Sequence, residues 1–239
     1  MKTSTKLILI FSGLFEAGIL SLYITSSVFR DKKRFSQDVD YRQETGRLPD
    51  FSVVVVQDSA ACILITSDSN SLLWFQPRDS MQKSLKVYVR NDTLFVAQTP
   101  SDIAYRVRIM AKNVTTVLVK RGASVRLLKI IQDKLYVQVE SGSCYLESIP
   151  NEEQINLQQK TLHLTVNASA KSYIEFNSWC DFLTVNVDSS RLQINTSSDP
   201  NSYIRSVALT AHHGSTVILY KCPSQFTMQK DSTSTFRVY

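Results

Sequence analysis

The 239-residue sequence predicts an all-β, β-solenoid or β-helix-like domain preceded by one N-terminal transmembrane helix. Three observations carry that expectation. From Pro49 onward almost every apolar run is short, β-branched and alternating, and no window shows helical periodicity. In the C-terminal half a corner of small polar residues recurs between pairs of alternating apolar residues. Ahead of both lies one long apolar segment.

Residues 1–6 form a short tail, and residues 7–29, LILIFSGLFEAGILSLYITSSVF, come next. At about 1.5 Å per residue this segment is long enough to cross a hydrocarbon core of about 30 Å. Its one charge, Glu16, costs about 2.5 to 3.5 kcal/mol at a helix centre, while each Leu, Ile, Phe or Val returns about 0.3 to 0.6. There are thirteen of these, so insertion wins. The run exceeds the apolar region of a secretory signal peptide and no small-x-small cleavage site precedes Arg30, which favours an uncleaved, single-pass anchor. Gly13, Ala17 and Ser21 lie four apart, a spacing that permits close helix packing, although small residues scattered in an anchor read the same way.

Orientation stays open. Arg30, Lys32, Lys33 and Arg34 outweigh Lys2 and Lys6, which by the positive-inside rule would keep the domain in the cytoplasm. The short N-terminal tail instead suits an anchor that exports the chain on its C-terminal side. The expectation adopted is export, which the family resemblance given below also favours and which that resemblance places on the periplasmic side of an inner membrane.

Residues 30–48, RDKKRFSQDVDYRQETGRL, are charged and nearly free of aliphatic side chains, so they read as a solvated linker, with the β domain spanning 49–239. FSVVVVQDSAACILITSD (51–68) gives two strands. SLKVYVRNDTLFVAQ (84–98) gives a hairpin around Asn91 and Asp92, residue types that tolerate the positive φ of a tight turn.

The corner then recurs in VLVKRGASVRL from Val117, VQVESGSCYLE from Val137, LTVNASAKSYIEF from Leu164, VNVDSSRLQI from Val185 and LTAHHGSTVIL from Leu209. The inner residue before each corner falls at Val119, Val139, Val166, Val187 and Ala211, separated by 20, 27, 21 and 24 residues. Alternation places the apolar pairs before and after each corner on one face, so a bend between them leaves that face inward. One such turn cannot bury its inner face alone, whereas stacked turns can. A sandwich of antiparallel strands would explain the alternation equally well and the recurring corner less well.

Charge narrows the partners. The formal net charge is +6, with 8 Lys/Arg against 5 Asp/Glu in residues 1–47 and 19 against 16 in residues 48–239. A domain so balanced is not built mainly to bind polyanions, and no nucleic acid is expected.

Through SVVVVQDSAACILIT, VYVRNDTLFV and VQVESGSCYLE, over about residues 51–219, the chain resembles the head GIN domain family of auto-transporter adhesins found in envelopes of Bacteroidetes-type bacteria. The resemblance implies a β-helix-like fold, an extracytoplasmic setting and no catalytic residues. The chain departs from that pattern in having only six glycines, with Asn167 and Asp188 at corners where the family favours Gly. The twenty residues after Leu219 are too few for a membrane barrel.

No Gly-rich phosphate loop, zinc spacing or nucleophile elbow occurs, and no catalytic residue, cofactor or metal site is expected. His212 and His213 are adjacent on a strand and so point to opposite faces, a poor metal pair, and His163 stands apart. Glu140, Glu147, Glu175, Asp181 and Asp188 share no obvious register, which leaves a glycan-cleaving pair a minor alternative to solvated charges. Cys62, Cys144, Cys180 and Cys222 are compatible with two disulfides or with buried thiols.

Two surface candidates remain. Arg106, Arg108, Lys112, Lys120, Arg121, Arg126 and Lys129 occur with no intervening acid, and stacked turns could gather them into a strip for anionic glycan or lipid headgroups. Tyr173, Phe176, Trp179 and Phe182 recur every three residues and could form an aromatic platform, against packed or capping aromatics. The reading is a membrane-anchored, non-catalytic envelope protein for adhesion, scaffolding or glycan contact. A cytoplasm-facing scaffold that assembles with copies of itself is the alternative, and a solenoid enzyme acting on glycans the third.

Overall fold

The alternating runs fold as strands of four to nine residues, and their inward positions build one core. The computed structural model describes residues 41–77, 85–98, 106–128, 132–147, 161–177, 180–195, 204–220, 223 and 225–239. The expected anchor at 7–29 lies outside the described residues, as does the first part of the linker.

In chain order the strands are β1 (Tyr41–Arg47), β2 (Val53–Gln57), β3 (Ala61–Thr66), β4 (Ser71–Pro77), β5 (Leu85–Arg90), β6 (Thr93–Gln98), β7 (Arg106–Ala111), β8 (Thr116–Lys120), β9 (Ser124–Leu128) and β10 (Lys134–Glu140). They continue as β11 (Ser143–Glu147), β12 (Thr161–Ser169), β13 (Tyr173–Asn177), β14 (Cys180–Asp188), β15 (Arg191–Ile194), β16 (Ile204–His212), β17 (Thr216–Leu219), β18 (Gln225–Lys230) and β19 (Thr235–Val238). The described part is all-β, in two mixed sheets. One runs β1-β4-β7-β3-β9-β11-β13-β15-β17-β19 and the other β18-β16-β14-β12-β10-β8-β2-β6-β5.

From β8 onward each even strand lies in the nine-stranded sheet and each following odd strand in the ten-stranded sheet, and successive pairs stack in parallel register. The inward row of the nine-stranded sheet joins Val56, Val119, Val139, Ala168, Val187 and Ala211, all buried. Each fully buried Val or Leu stabilises the stack by roughly 1.5 to 3 kcal/mol relative to exposure. Parallel pairing of successive coils replaces the antiparallel sandwich that alternation alone would also allow.

Register corrects the sequence reading at one unit. Val166 pairs with Val137 and Val185, and Ala168 is the residue level with Val139 and Val187. Asn167 therefore lies within β12, and the corner falls at Ala170 and Lys171, both with positive φ. Strict alternation is insensitive to a shift of two, so it could not fix this register.

The stack does not follow chain order at its N-terminal end. Strand β2 pairs with β6 on one side and β8 on the other, while β3 pairs with β7 and β9. The first coil thus ends up between two later ones, with Val54 and Val56 pointing into the core and Val55, 7% exposed, set in the outer face between Phe95 and Leu118. The hairpin β5–β6 turns through Asn91 and Asp92 with φ of 48° and 60°, as its sequence predicted. Strand β1 begins at Tyr41, inside the stretch expected to be linker, and pairs antiparallel with β4. An edge strand needs only backbone partners and tolerates charge, so Arg42, Glu44 and Arg47 do not prevent it.

A column of small residues lines the corners. Ala60, Ala123, Gly142, Ser172, Ser190, Ser215 and Ser234 each immediately precede a strand of the ten-stranded sheet, and all except Gly142 are buried. Ser172 Oγ donates to the Val139 carbonyl at 3.0 Å and Ser215 Oγ to that of Val187 at 3.0 Å. Ser190 Oγ accepts the Ser172 N–H at 3.1 Å and donates to the Asp188 carbonyl at 2.8 Å. Backbone groups that the corner removes from the ladder are satisfied by these hydroxyls.

Candidate functional site

The basic residues between Asp102 and Asp133 do not form one strip. Arg108 on β7 and Arg126 on β9 flank Ile63 of β3 in one row of the ten-stranded sheet, whereas Lys120 ends β8 in the other sheet and Arg121 occupies a corner. Arg121 pairs with Asp58 at 2.8 Å, Arg126 with Glu147 at 3.2 Å and Lys120 with Glu140 at 3.8 Å. Arg126 also lies over the Tyr145 ring, 5.9 Å from its centroid. Lys112 is exposed beyond the end of β7. Arg106 contributes backbone to β7, and Lys129 lies outside the described residues. Neighbouring coils supply the acids, which a count along the chain cannot see.

The four aromatic residues are likewise separated. Phe176 is inward and 1% exposed, because residues three apart on a strand face opposite ways. Tyr173 faces outward on β13, where Glu175 and Arg191 flank it. Burial, then its hydrogen bond to Glu175 at 3.0 Å, pushes its hydroxyl up to about 12. Phe182 is exposed on the other sheet and stacks on His163 with ring centroids 4.8 Å apart. Trp179 lies outside the described residues.

Of the carboxylates, Glu140 is level with Ser169, and Asp188 ends β14 one residue past Val187, which is level with Ala168. Asp188 meets His213 Nδ1 at 2.7 Å and Ser189 Oγ at 3.2 Å. Glu175 accepts from Asn195 at 3.0 Å, and Asp181 lies near the start of β14. The rings of His212 and His213 are 6.1 Å apart, and among the described residues no group of three His, Cys, Asp or Glu side chains could hold a metal ion.

Cys62 and Cys144 face inward on β3 and β11, either side of Val125. Two strand spacings, about 9.6 Å, exceed the roughly 7 Å limit between bridged Cα atoms. Both are buried thiols, and burial pushes Cys62 up to about 12 and raises Cys144 further, with Cys62 adding to the latter. Cys180 is buried at the start of β14, and Cys222 lies outside the described residues.

Sequence reasoning missed a continuous outward row. On the outer face of the nine-stranded sheet one row joins Tyr88, Phe95, Val55 and Leu118 on β5, β6, β2 and β8. The same row continues through Gln138, Asn167, Asn186, Thr210 and Gln229 on β10 to β18. Tyr88 is 50% exposed and stacks on Phe95, centroids 5.1 Å apart and planes 16° from parallel. Asn186 Nδ2 donates to Asn167 Oδ1 at 2.7 Å, Asn167 Nδ2 to the Tyr136 hydroxyl at 2.8 Å, and that hydroxyl to Gln138 Oε1 at 3.3 Å. Beside this ladder lies a hollow of about 210 Å³ lined by Gln138, Asn167, Asn186, Asp188 and His212 among others. The polar outward residues were readable as alternation, but not their alignment between coils.

No family model matches the chain, and no curated protein matches it. Solved structures share the fold. A proposed adhesin from Bacteroides fragilis is 12% identical, with a TM-score of 0.54 over 84% of this chain and 97% of that one. A proposed lipid-binding protein from Parabacteroides distasonis is 11% identical, with a TM-score of 0.51 over 84% of this chain and 95% of that one. At such identities the likeness is one of fold.

Proposed function

We propose that the chain is a membrane-anchored, non-catalytic β-solenoid of the cell envelope, of the head GIN type that its sequence resembles, serving adhesion or scaffolding through contacts along its outer faces. The observation that carries this reading is the stacking of coils into outward rows that run unbroken across a whole sheet, a form suited to extended partners. The adhesin name borne by a protein of similar fold supports the same reading. Anchoring rests on residues 7–29, and export on the extracytoplasmic setting that the family resemblance implies.

Two measurements test this. A reporter fused to the C-terminus of the full chain, active only outside the cytoplasm, is expected to be active. The full chain is expected to be retained on isolated cell-envelope material above a charge-matched control. A silent reporter would favour the cytoplasm-facing scaffold, which the basic residues 30–34 after the anchor suit. Retention no better than the control would remove the adhesive role.

A further inference from the structure

Outward positions of a solvated sheet are ordinarily polar, so a run of apolar side chains in one outward row calls for a partner. The row beginning at Tyr88 changes character along its length: apolar on four successive strands, then amide and hydroxyl on the next five. None of its nine residues is charged.

We propose that this row is the binding site for a neutral, linear oligosaccharide lying along the stack axis. The inference rests on the envelope reading above and names its ligand class. A sugar chain presents both kinds of surface that the row requires. The C–H faces of its rings pack against aromatic faces, whose quadrupole is negative, and Tyr88 stacked on Phe95 offers such a face. Its hydroxyls donate and accept, as do the amides of Gln138, Asn167 and Asn186.

Eight strand spacings of about 4.8 Å make the row roughly 38 Å long, enough for several sugar units. The hydrogen bonds between Asn186, Asn167, Tyr136 and Gln138 fix the amides before a ligand arrives, which lowers the ordering cost of binding. The hollow of about 210 Å³ beside them gives a substituent somewhere to sit. No charged side chain stands in the row, whereas the exposed Lys86 and Arg90 flank Tyr88 on the same face of β5, which is why the test includes an anionic probe. Lys120 and Arg121, at the edge of this face, are paired with Glu140 and Asp58.

The test uses the full chain in detergent micelles, titrated with neutral hexasaccharides (β-1,4-glucan, β-1,3-glucan and β-1,4-N-acetylglucosamine), with hexagalacturonate as the anionic probe and glucose as the short one. At least one neutral hexasaccharide is expected to bind, glucose far more weakly, with affinity unchanged between about 0.05 and 0.5 M salt. Tyr88→Ala and Asn186→Ala should each weaken binding about tenfold or more. Both side chains are exposed, so folding is preserved, and Tyr145→Ala on the other sheet should change nothing.

The proposal is overturned if no neutral hexasaccharide binds or if binding survives both variants. A preference for hexagalacturonate that salt abolishes also overturns it. If Tyr88→Ala and Asn186→Ala stay on envelope material like the unaltered chain, the envelope reading stands and this row is not its site. Hexasaccharide binding through the row, without retention on envelopes, would establish the sugar site and remove the envelope role.

Discussion

Gly142 passes so close beneath Ala123 that a β-carbon on it would sit 2.7 Å from the Ala123 carbonyl oxygen and 2.9 Å from Val119 Cγ1. The Ser143 N–H donates to that same carbonyl at 2.9 Å, so the contact is part of the ladder between coils and cannot open freely. Gly142→Ala is therefore expected to destabilise the domain by about 1 to 3 kcal/mol, as overpacking does. Gly214→Ala provides the contrast. Its site is open within 4 Å and its φ is +73°, so only backbone strain of about 1 kcal/mol applies. Urea midpoints of the two variants should fall in that order, and equal midpoints would show that the coils can separate at Gly142.

Ser215 is fully buried and links two coils, donating to the Val187 carbonyl and accepting the Ser190 N–H at 3.4 Å. Ser215→Ala leaves both groups without the hydroxyl, at a cost of about 1 to 3 kcal/mol. Ser189→Ala, one coil earlier and exposed, should stay within about 0.5 kcal/mol. A Ser215→Ala midpoint equal to that of Ser189→Ala would mean the serine column fills space and nothing more.

These two predictions also mark where the sequence could be read and where it could not. Alternation gave the strands, and Asn91 with Asp92 gave the hairpin, because both signals are local. The corner was visible as small polar residues, yet its physical basis was not. Positive φ is carried by Arg121, Ala170, Lys171 and His213 as well as by glycine, while the small residues are selected by the buried column from Ala60 to Ser234. Period-two patterning says nothing about which strand lies beside which. It could not place β2 between β6 and β8, or distinguish Val166 from Ala168. For the same reason the acids that neutralise Lys120, Arg121 and Arg126 were invisible until the coils were stacked.

Cys62 and Cys144 should not react in the folded protein. Only a thiolate attacks maleimide or a disulfide reagent, and burial raises both thiols far above neutral pH, Cys62 to about 12. Peptide mapping after maleimide treatment of the full chain at about pH 8 should find these two cysteines unmodified, then fully labelled once urea unfolds the domain. Rapid native labelling of Cys144 would mean that its coil opens locally, since its side chain is 0% exposed.

Asp231 organises the last corner, and its charge should make that corner acid-sensitive. Its carboxylate takes the His213 N–H at 2.6 Å and, through its other oxygen, the N–H groups of Thr233 at 3.1 Å and Ser234 at 2.8 Å. Hydrogen bonding from Ser234 first, then from His213 and Thr233, holds the group well below the usual carboxylate range. A depressed folded value means that the stabilisation is complete above the ordinary aspartate value near 4 and fades as pH falls further towards the folded one. Hydrogen exchange should then show the amides of His213, Thr233 and Ser234 losing protection in acid ahead of those of β14 and β16. Asp231→Asn should produce the same loss at neutral pH, because the amide keeps one acceptor oxygen but neither the second oxygen nor the charge. Unchanged protection in that variant would assign the corner's order to backbone pairing between β17 and β19 alone.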